Sequence, residues 1–503
     1  MKQRLSLSAG DREFFGVVGQ AAFANPFGDT RNSLDVAIAG STPAASRAEQ
    51  VDAALVRVRQ RLRRLEERRA ADIRDYNAED GRTLATVHLF DLFHRYTDAF
   101  DGLVQTQIQA NDESTPVPFS AEALERLTRR GFTAEAGVRY FALFYQLRRA
   151  FRFIDTGLAG VSPCVRQLRM RLWQNVFTRD IRLYDRYLWD RMEDFSTLLF
   201  GETGAGKGAA AAALGRSGFI PFDPRRARFS ESFMRGFVAL NLSQFPAALI
   251  ESELFGHRKG AFTGAVEAHE GVFARCSPHG AIFLDEIGEI GAPIQIKLLQ
   301  VLQDRVFTPV GSHERRRFSG RVIGATNRTP DALRENGALR EDFYYRLCSD
   351  IIHVPPLRQR LREDPQEMEV LLRELTRRLT GRDEPALACG IRDTLRRAPG
   401  PDYTWPGNVR ELEQSVRRVL LTGAYEGRPP ASETPSRDPF LSDVETGRLD
   451  AEELLAGYCT RLHARLGTYE DVARLLRLDR RTVRRYCRLG GSTPSQARTA
   501  PPG

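Results

Sequence analysis

The run Gly201-Glu202-Thr203-Gly204-Ala205-Gly206-Lys207 constrains the fold of this chain more than any other feature. It follows the apolar stretch Phe195 to Phe200 and leads into a helix-forming segment, Gly208 to Leu214. Glycines allow the backbone to curl so that successive N–H groups point into one anion-sized hollow. The helix that opens there adds its positive dipole end, and Lys207 can neutralise β- and γ-phosphates. A strand, a phosphate loop and a helix in that order predict an α/β domain. The expected nucleotide contacts are Gly201, Glu202, Thr203, Gly204, Ala205, Gly206, Lys207 and Gly208.

A second motif completes that site. Gly280-Ala281-Ile282-Phe283-Leu284-Asp285-Glu286 reads as a buried strand ending in two carboxylates. Asp285 is the candidate for the magnesium shell, partly through water, and Glu286 for the base that polarises an attacking water. Ser or Thr usually follows the P-loop lysine to hold magnesium, but here the residue is Gly208, so Asp285, phosphates and water must serve. A further strand, Arg321 to Ala325, ends in Thr326-Asn327, and Asn327 is placed to sense a γ-phosphate. Arg340 and Arg346 lie in the segment Leu339-Arg340-Glu341-Asp342-Phe343-Tyr344-Tyr345-Arg346 and are candidate fingers toward a neighbouring subunit's nucleotide.

The other regions have a different texture. Residues 1–155 read as mostly helical, with Gly28 to Ser46 as loop. Val51, Leu55, Val58, Leu62 and Leu65 recur at alternating spacings of four and three. That seam fits either a short coiled coil between subunits or an amphipathic helix lying on its own domain. Leu84 to Leu103 and Ala136 to Phe153 are helical too, and no phosphoacceptor pattern of acids at strand ends is present. Pro356 to Leu421 is helical again, and the Pro-, Ser-, Glu- and Arg-rich residues 426–448 read as a linker. Residues 491–503 read as a disordered tail.

The C-terminal unit, 449–490, contains Thr468 to Tyr486, two short helical patterns around a turn at Arg477-Leu478-Asp479. Val472, Ala473, Leu476, Leu478 and Val483 are its candidate core. Seven arginines and one acid, Asp479, lie between Arg474 and Arg488, so the +9 net charge of the chain matters mainly through this cluster. Arg480, Arg481, Thr482, Arg484 and Arg485 would face phosphates and bases of double-stranded DNA. The six cysteines are scattered, without a CxxC pair, which points to free thiols in a reducing cytoplasm. No stretch is long and apolar enough to span a bilayer, and the N-terminus lacks a signal-peptide core.

In this order, these segments resemble the AAA+ domain of bacterial sigma-54-dependent enhancer-binding activators of the NtrC-like kind. The specific run is Gly260-Ala261-Phe262-Thr263-Gly264-Ala265, which in that family forms the loop tip that grips the sigma factor. GAIFLDEIGEI, Gly280 to Ile290, is nearly the family's acidic-strand text, and Leu298 to Gly311 resembles its helix and following hairpin. Tyr403 to Leu412 resembles the lid motif with the second sensor, placing Arg410 near nucleotide and giving Asn408 a helix-capping role with Glu411. Asn241 matches the family's switch residue. The C-terminal unit resembles the Fis-type helix-turn-helix, with Arg477 where the family has a turn glycine. Gly208 stands where the family usually has Glu, and the segments 179–194 and 216–235 are longer than the family pattern.

The resemblance implies an α/β P-loop AAA+ domain over 156–355, a helical lid over 356–425, a helical regulatory domain over 1–155 and a Fis-type unit at the end. It implies an ATPase that uses ATP and magnesium and assembles from dimers into a hexameric ring. Such an activator binds enhancer DNA and remodels the closed complex of sigma-54 RNA polymerase holoenzyme. Gly208 motivates an alternative: a nucleotide-gated DNA-binding regulator with weak or no ATPase activity.

Overall fold

The computed structural model describes residues 4–40, 46–68, 70–335, 337–400, 403–425, 440, 444 and 447–490. Most of the expected linker 426–448, and all of the expected tail 491–503, lie outside them. Two compact units result, one through Ala424 and one from Tyr425 onward.

The centre of the first unit is a parallel sheet. Strands β1 (Thr197–Phe200), β4 (Phe237–Asn241), β5 (Ala281–Asp285), β8 (Arg321–Thr326) and β9 (Asp350–His353) stand in the order β4-β5-β8-β1-β9, while β6 (Val306–Phe307) and β7 (Arg316–Arg317) pair apart from them. The runs Thr197 to Leu199 and Ala281 to Leu284 are buried throughout, because a central parallel strand is covered on both faces. Registers such as Leu284 with Gly324 and Phe200 with Thr326 align the C-terminal strand ends, where α/β sheets bind ligands. The fifth strand, β9, was not expected. It has four residues with Asp and His at its ends, too short for a periodicity to show.

Helices α1 (Ala9–Phe23), α2 (Asp29–Ala39), α3 (Arg47–Glu67), α4 (Ala78–Arg95), α5 (Thr97–Ala110), α6 (Ser120–Arg129) and α7 (Ala134–Gly157) precede the sheet, followed by α8 (Pro163–Phe177). The expectation of loop from Gly28 to Ser46 is corrected by α2. Polar composition hid a helix that buries Asp35, Ile38 and Ala39 and pairs Asp35 with Arg31 one turn earlier. The seam on α3 is used within the chain: Leu55, Val58, Leu62 and Leu65 are buried beside Phe15, Val18 and Leu84. This is the amphipathic-helix alternative. Ser46 and Glu49 close a capping box at its start.

The long segment 216–235 has a structural role. It contains a hairpin of β2 (Phe222–Asp223) and β3 (Arg228–Phe229), whose Phe222 and Phe229 enter the core formed by Phe100, Phe141 and Tyr145. Phe229 stacks on Tyr145 with ring centroids 4.0 Å apart, and Val117 donates its N–H to the Ala227 carbonyl at 2.8 Å. Each buried Phe is worth roughly 1.5–3 kcal/mol, so the hairpin fastens α5 and α7 onto the sheet domain. The other long segment, 179–194, buries Ile181 and Tyr184 in the core shared by α8 and β1, and its Asp185 pairs with Arg139.

In the second unit, helices Ala451–Leu466, Tyr469–Leu476 and Arg480–Gly490 pack around Leu462, Val472 and Val483, with Ala473, Leu476 and Leu478 against them. Arg477 takes φ 54° and ψ 37°, the left-handed conformation that glycine would supply, and closes the first short helix onto the Ala473 carbonyl. The turn is therefore formed, at a backbone cost of about 1–2 kcal/mol.

Candidate nucleotide site and GAFTGA loop

The P-loop joins β1 to the helix Lys207–Gly215. Gly206 is the N-cap of this helix, at φ 112° and without a side-chain cap. Among the described residues, the N–H groups of Gly206, Lys207 and Gly208 have no protein acceptor, and this is the donor set a phosphate needs. Gly204 must be glycine: its φ is 79°, and a Cβ there would strike the Gly407 carbonyl oxygen. At Gly208, by contrast, a Cβ would meet nothing within 4 Å, so packing does not require glycine.

Lys207 is buried and its Nζ donates to the carbonyls of Gly201 (2.8 Å) and Glu202 (3.3 Å). Burial holds this ammonium below the usual lysine range. Glu286 and Asp285 pull it back up, and Arg410 pushes it down. The geometry agrees: Asp285 ends the strand next but one to β1, Glu286 follows it, and the Arg410 Cβ lies against Gly204 of the P-loop, so all three border Lys207 at one end of the sheet. Asp285 is the last residue of β5 and accepts the Glu286 N–H on its carboxylate at 3.1 Å. Glu286 is left-handed at φ 56°, ψ 47°, an uncommon conformation for Glu and one that clusters at functional sites. Asn327 directly follows Thr326, whose carbonyl accepts the N–H of Gly201, so it borders the P-loop.

The Cα of Asn241 is in register with Asp285, but its side chain accepts from Ser243 N (3.0 Å) and Oγ (2.8 Å). Arg340 pairs with Asp342 at 2.7 Å on the surface. Arg346 donates to the Leu302 carbonyl, and its own carbonyl accepts from Ser196, just before β1. That is the opposite end of the strands from Lys207, so Arg346 does not belong to the site on its own subunit.

The lid comprises helices Leu357–Glu363, Glu367–Thr380, Pro385–Arg397 and Asn408–Thr422. The capping role expected for Asn408 is corrected here. Gly407 is the N-cap, and Asn408 is the first helical residue, at φ 54°. Glu411 accepts the Gly407 N–H at 2.8 Å and the Tyr403 hydroxyl at 2.6 Å. Fully buried Asn408 instead donates to the Thr203 carbonyl (3.0 Å) and Glu202 carboxylate (3.2 Å), and accepts from Leu357 N (2.7 Å). Arg358 forms a second clamp on Glu202. Asn408 and Arg358 thus tie lid to P-loop. Sequence reasoning gave Asn408 a different role and missed Arg358, because their P-loop partners lie more than 150 residues away.

The loop Gly260-Ala261-Phe262-Thr263-Gly264-Ala265 projects from a pinned base. His257 bridges His269 and Val310, and Arg258 donates to the Val310 carbonyl at 3.1 Å. Gly260 and Gly264, at φ 77° and 101°, turn the tip, closed by Gly260 N to Ala265 O at 2.8 Å. Phe262 rests edge-on against His257, with centroids 4.9 Å apart, yet remains 38% exposed, and Thr263 is exposed.

A parallel sheet in this strand order, a P-loop, an acidic strand end and a helical lid docked on the loop define an AAA+ ATPase domain. Within this class, residues 183–353 match the sigma-54 interaction domain family, which bears out the resemblance drawn from the P-loop, the GAFTGA run and the acidic strand within that stretch. The chain is 38% identical over 303 residues to the Nif-specific regulatory protein of Azotobacter vinelandii, covering 57% of this chain and 54% of that one. It is 39% identical over 236 residues to the DNA-binding transcriptional regulator NtrC of Azospirillum brasilense, covering 46% and 44%. A solved structure of NtrX from Brucella abortus in complex with ADP is similar at a TM-score of 0.40 and 20% identity, covering 75% of this chain and 81% of that chain. The matches span about half the length of these curated relatives.

Proposed function

We propose that this chain is a sigma-54-dependent transcriptional activator that hydrolyses ATP to remodel the closed complex of sigma-54 RNA polymerase at enhancer-linked promoters. The observation that carries this reading is the convergence of Lys207, Asp285 and Glu286 in a domain whose GAFTGA loop is intact and exposed. ATP is the substrate. The free N–H groups at the P-loop helix start and Lys207 would hold its phosphates, and Glu286 would take a proton from the attacking water. The carboxylate of Asp285, beside Lys207, suits magnesium, which when bound neutralises charge between the β- and γ-phosphates. Arg340 and Arg346 would act on a neighbouring subunit's nucleotide in a ring built from dimers, with Arg410 and Asn327 sensing the nucleotide and Asn241 as the switch.

Removing the ammonium is expected to weaken ATP binding. Lys207→Ala should raise the Kd for ATP roughly 30-fold or more, the worth of a charge-assisted contact of about 2–3 kcal/mol. Calorimetric titration with ATP checks it. Thr263→Ala is expected to leave phosphate release unchanged and to abolish transcription activation in vitro. Full activation by that variant would assign the loop another target.

For DNA, the second unit offers a helix capped by Asp479, which accepts from Arg481 N (2.7 Å) and Thr482 Oγ1 (2.6 Å). Arg480 and Arg485 face Glu470 and Glu452, whereas Arg481 and Arg484 have no carboxylate partner among the described residues, which favours these two for DNA contact. Residues 1–155 are read as the regulatory region, and the setting as bacterial cytoplasm. Among the described residues, no helix is long and apolar enough to cross a membrane. The second reading, a nucleotide-gated regulator with little hydrolysis, rests on Gly208, and a phosphate-release assay separates the two.

A further inference from the structure

A cavity of about 820 Å³ lies in the first unit, away from the P-loop, between α1 to α4 on one side and α7 and α8 on the other. Its volume falls in the range of small-molecule sites, roughly 300–1,000 Å³. Phe90, Phe93, Phe144, Leu147, Phe151 and Trp173 line it. Phe93, Leu147 and Phe151 keep accessible surface although they pack against the core, as the walls of a void do. His94 also faces the cavity, and its Nδ1 is held by the Phe90 carbonyl at 2.8 Å. Burial pulls this imidazole down to about 4, so it is neutral near pH 7.

The charges around the cavity are mostly committed elsewhere. Arg31 binds Asp35, Arg148 binds Asp101, Asp185 binds Arg139 and Asp155 faces Arg169. Arg47, Arg82 and Asp52 remain, all exposed and without an ion-pair partner among the described residues. Two guanidinium groups without a carboxylate partner, against one such carboxylate, favour an anion. Arg47 donates to the Pro26 carbonyl, and its neighbours desolvate it, lowering its pKa. A fork of this kind recognises a carboxylate through paired N–H groups. Flat aromatic walls favour a flat apolar body, since offset and edge-on ring contacts add about 0.5–1.5 kcal/mol each.

We propose that this cavity binds a small aromatic carboxylate, its ring among Phe93, Leu147 and Phe151 and its anion at Arg47. The site is independent of the nucleotide chemistry, and binding is measured without nucleotide.

The full chain is titrated calorimetrically with 3-phenylpropionate and indole-3-acetate, and with 3-phenylpropanol and hexanoate as neutral and non-aromatic counterparts. At least one aromatic acid should bind with a Kd of about 1 mM or tighter, and at least ten-fold tighter than either counterpart. Arg47→Gln, at the rim, should cost the acid ten-fold or more and leave the alcohol unchanged. Leu147→Trp, which fills the void, should remove both, with circular dichroism confirming the fold. No binding of either aromatic acid up to on the order of 10 mM, equal binding of acid and alcohol, or an unchanged Arg47→Gln would overturn the assignment.

Discussion

Glu286→Gln is expected to bind ATP within about three-fold of the unsubstituted chain while turnover falls by roughly 10²- to 10⁴-fold, the usual worth of a positioned general base. Gln keeps the size and polarity of Glu but cannot accept a proton. The backbone supplies a second, opposite effect. Glu286 is left-handed, with φ 56°, a conformation that costs a side-chain-bearing residue about 1–2 kcal/mol and glycine almost nothing. Glu286→Gly should therefore be equally inactive yet more stable by about 1 kcal/mol in urea unfolding. Loss of activity with a gain of stability would mark Glu286 as a residue held under strain for its chemistry. Normal turnover in Glu286→Gln would remove it from the mechanism.

The second large effect concerns Arg149. This residue is fully buried on α7 and donates to the carbonyls of Arg216 (2.7 Å) and Gly218 (2.6 Å), at the end of the P-loop helix. Its guanidinium lies 4.5 Å from the Tyr145 ring centroid and 5.5 Å from that of Phe233. Burial pulls it down to about 10, so it stays charged at pH 7 and faces the negative end of the helix dipole. A buried salt bridge can often be replaced by apolar residues at little cost. Here the acceptors are backbone carbonyls, which no side-chain substitution removes. Arg149→Met should leave both unpaired, at about 1–3 kcal/mol each, so a loss of about 3 kcal/mol is expected in chemical unfolding of the first unit. Arg149→Lys should recover only part of it, because an ammonium cannot span both carbonyls with a rigid fork. A loss below about 1 kcal/mol in Arg149→Met would show that water replaces the guanidinium.

These residues also show how far the sequence could be read. The P-loop, the Asp285 strand end and the GAFTGA run are local: their chemistry depends on neighbours in the chain, so spacing and residue type expose them. The core of the C-terminal unit was legible for the same reason, since Val472, Leu476 and Val483 meet across one short turn. Arg149 was not, because an arginine in a helical pattern reads as surface, and its burial depends on carbonyls 67 and 69 residues away. The hairpin at Phe222 and Phe229 looked like an unexplained insertion until the helices that cover it were in place. Asn408 carried a capping signature that was real but misassigned, with Glu411 serving Gly407 while Asn408 serves the P-loop. The cavity is lined by seven helices, α1 to α5, α7 and α8, and leaves no mark in any of them.

The most direct test of the central claim is open-complex formation by sigma-54 RNA polymerase on a promoter template carrying this chain's enhancer. Open complexes should accumulate with the chain and ATP, and be absent without ATP or with a non-hydrolysable analogue. Open complexes that form equally well without hydrolysis, or that never form although the chain cleaves ATP, would contradict it.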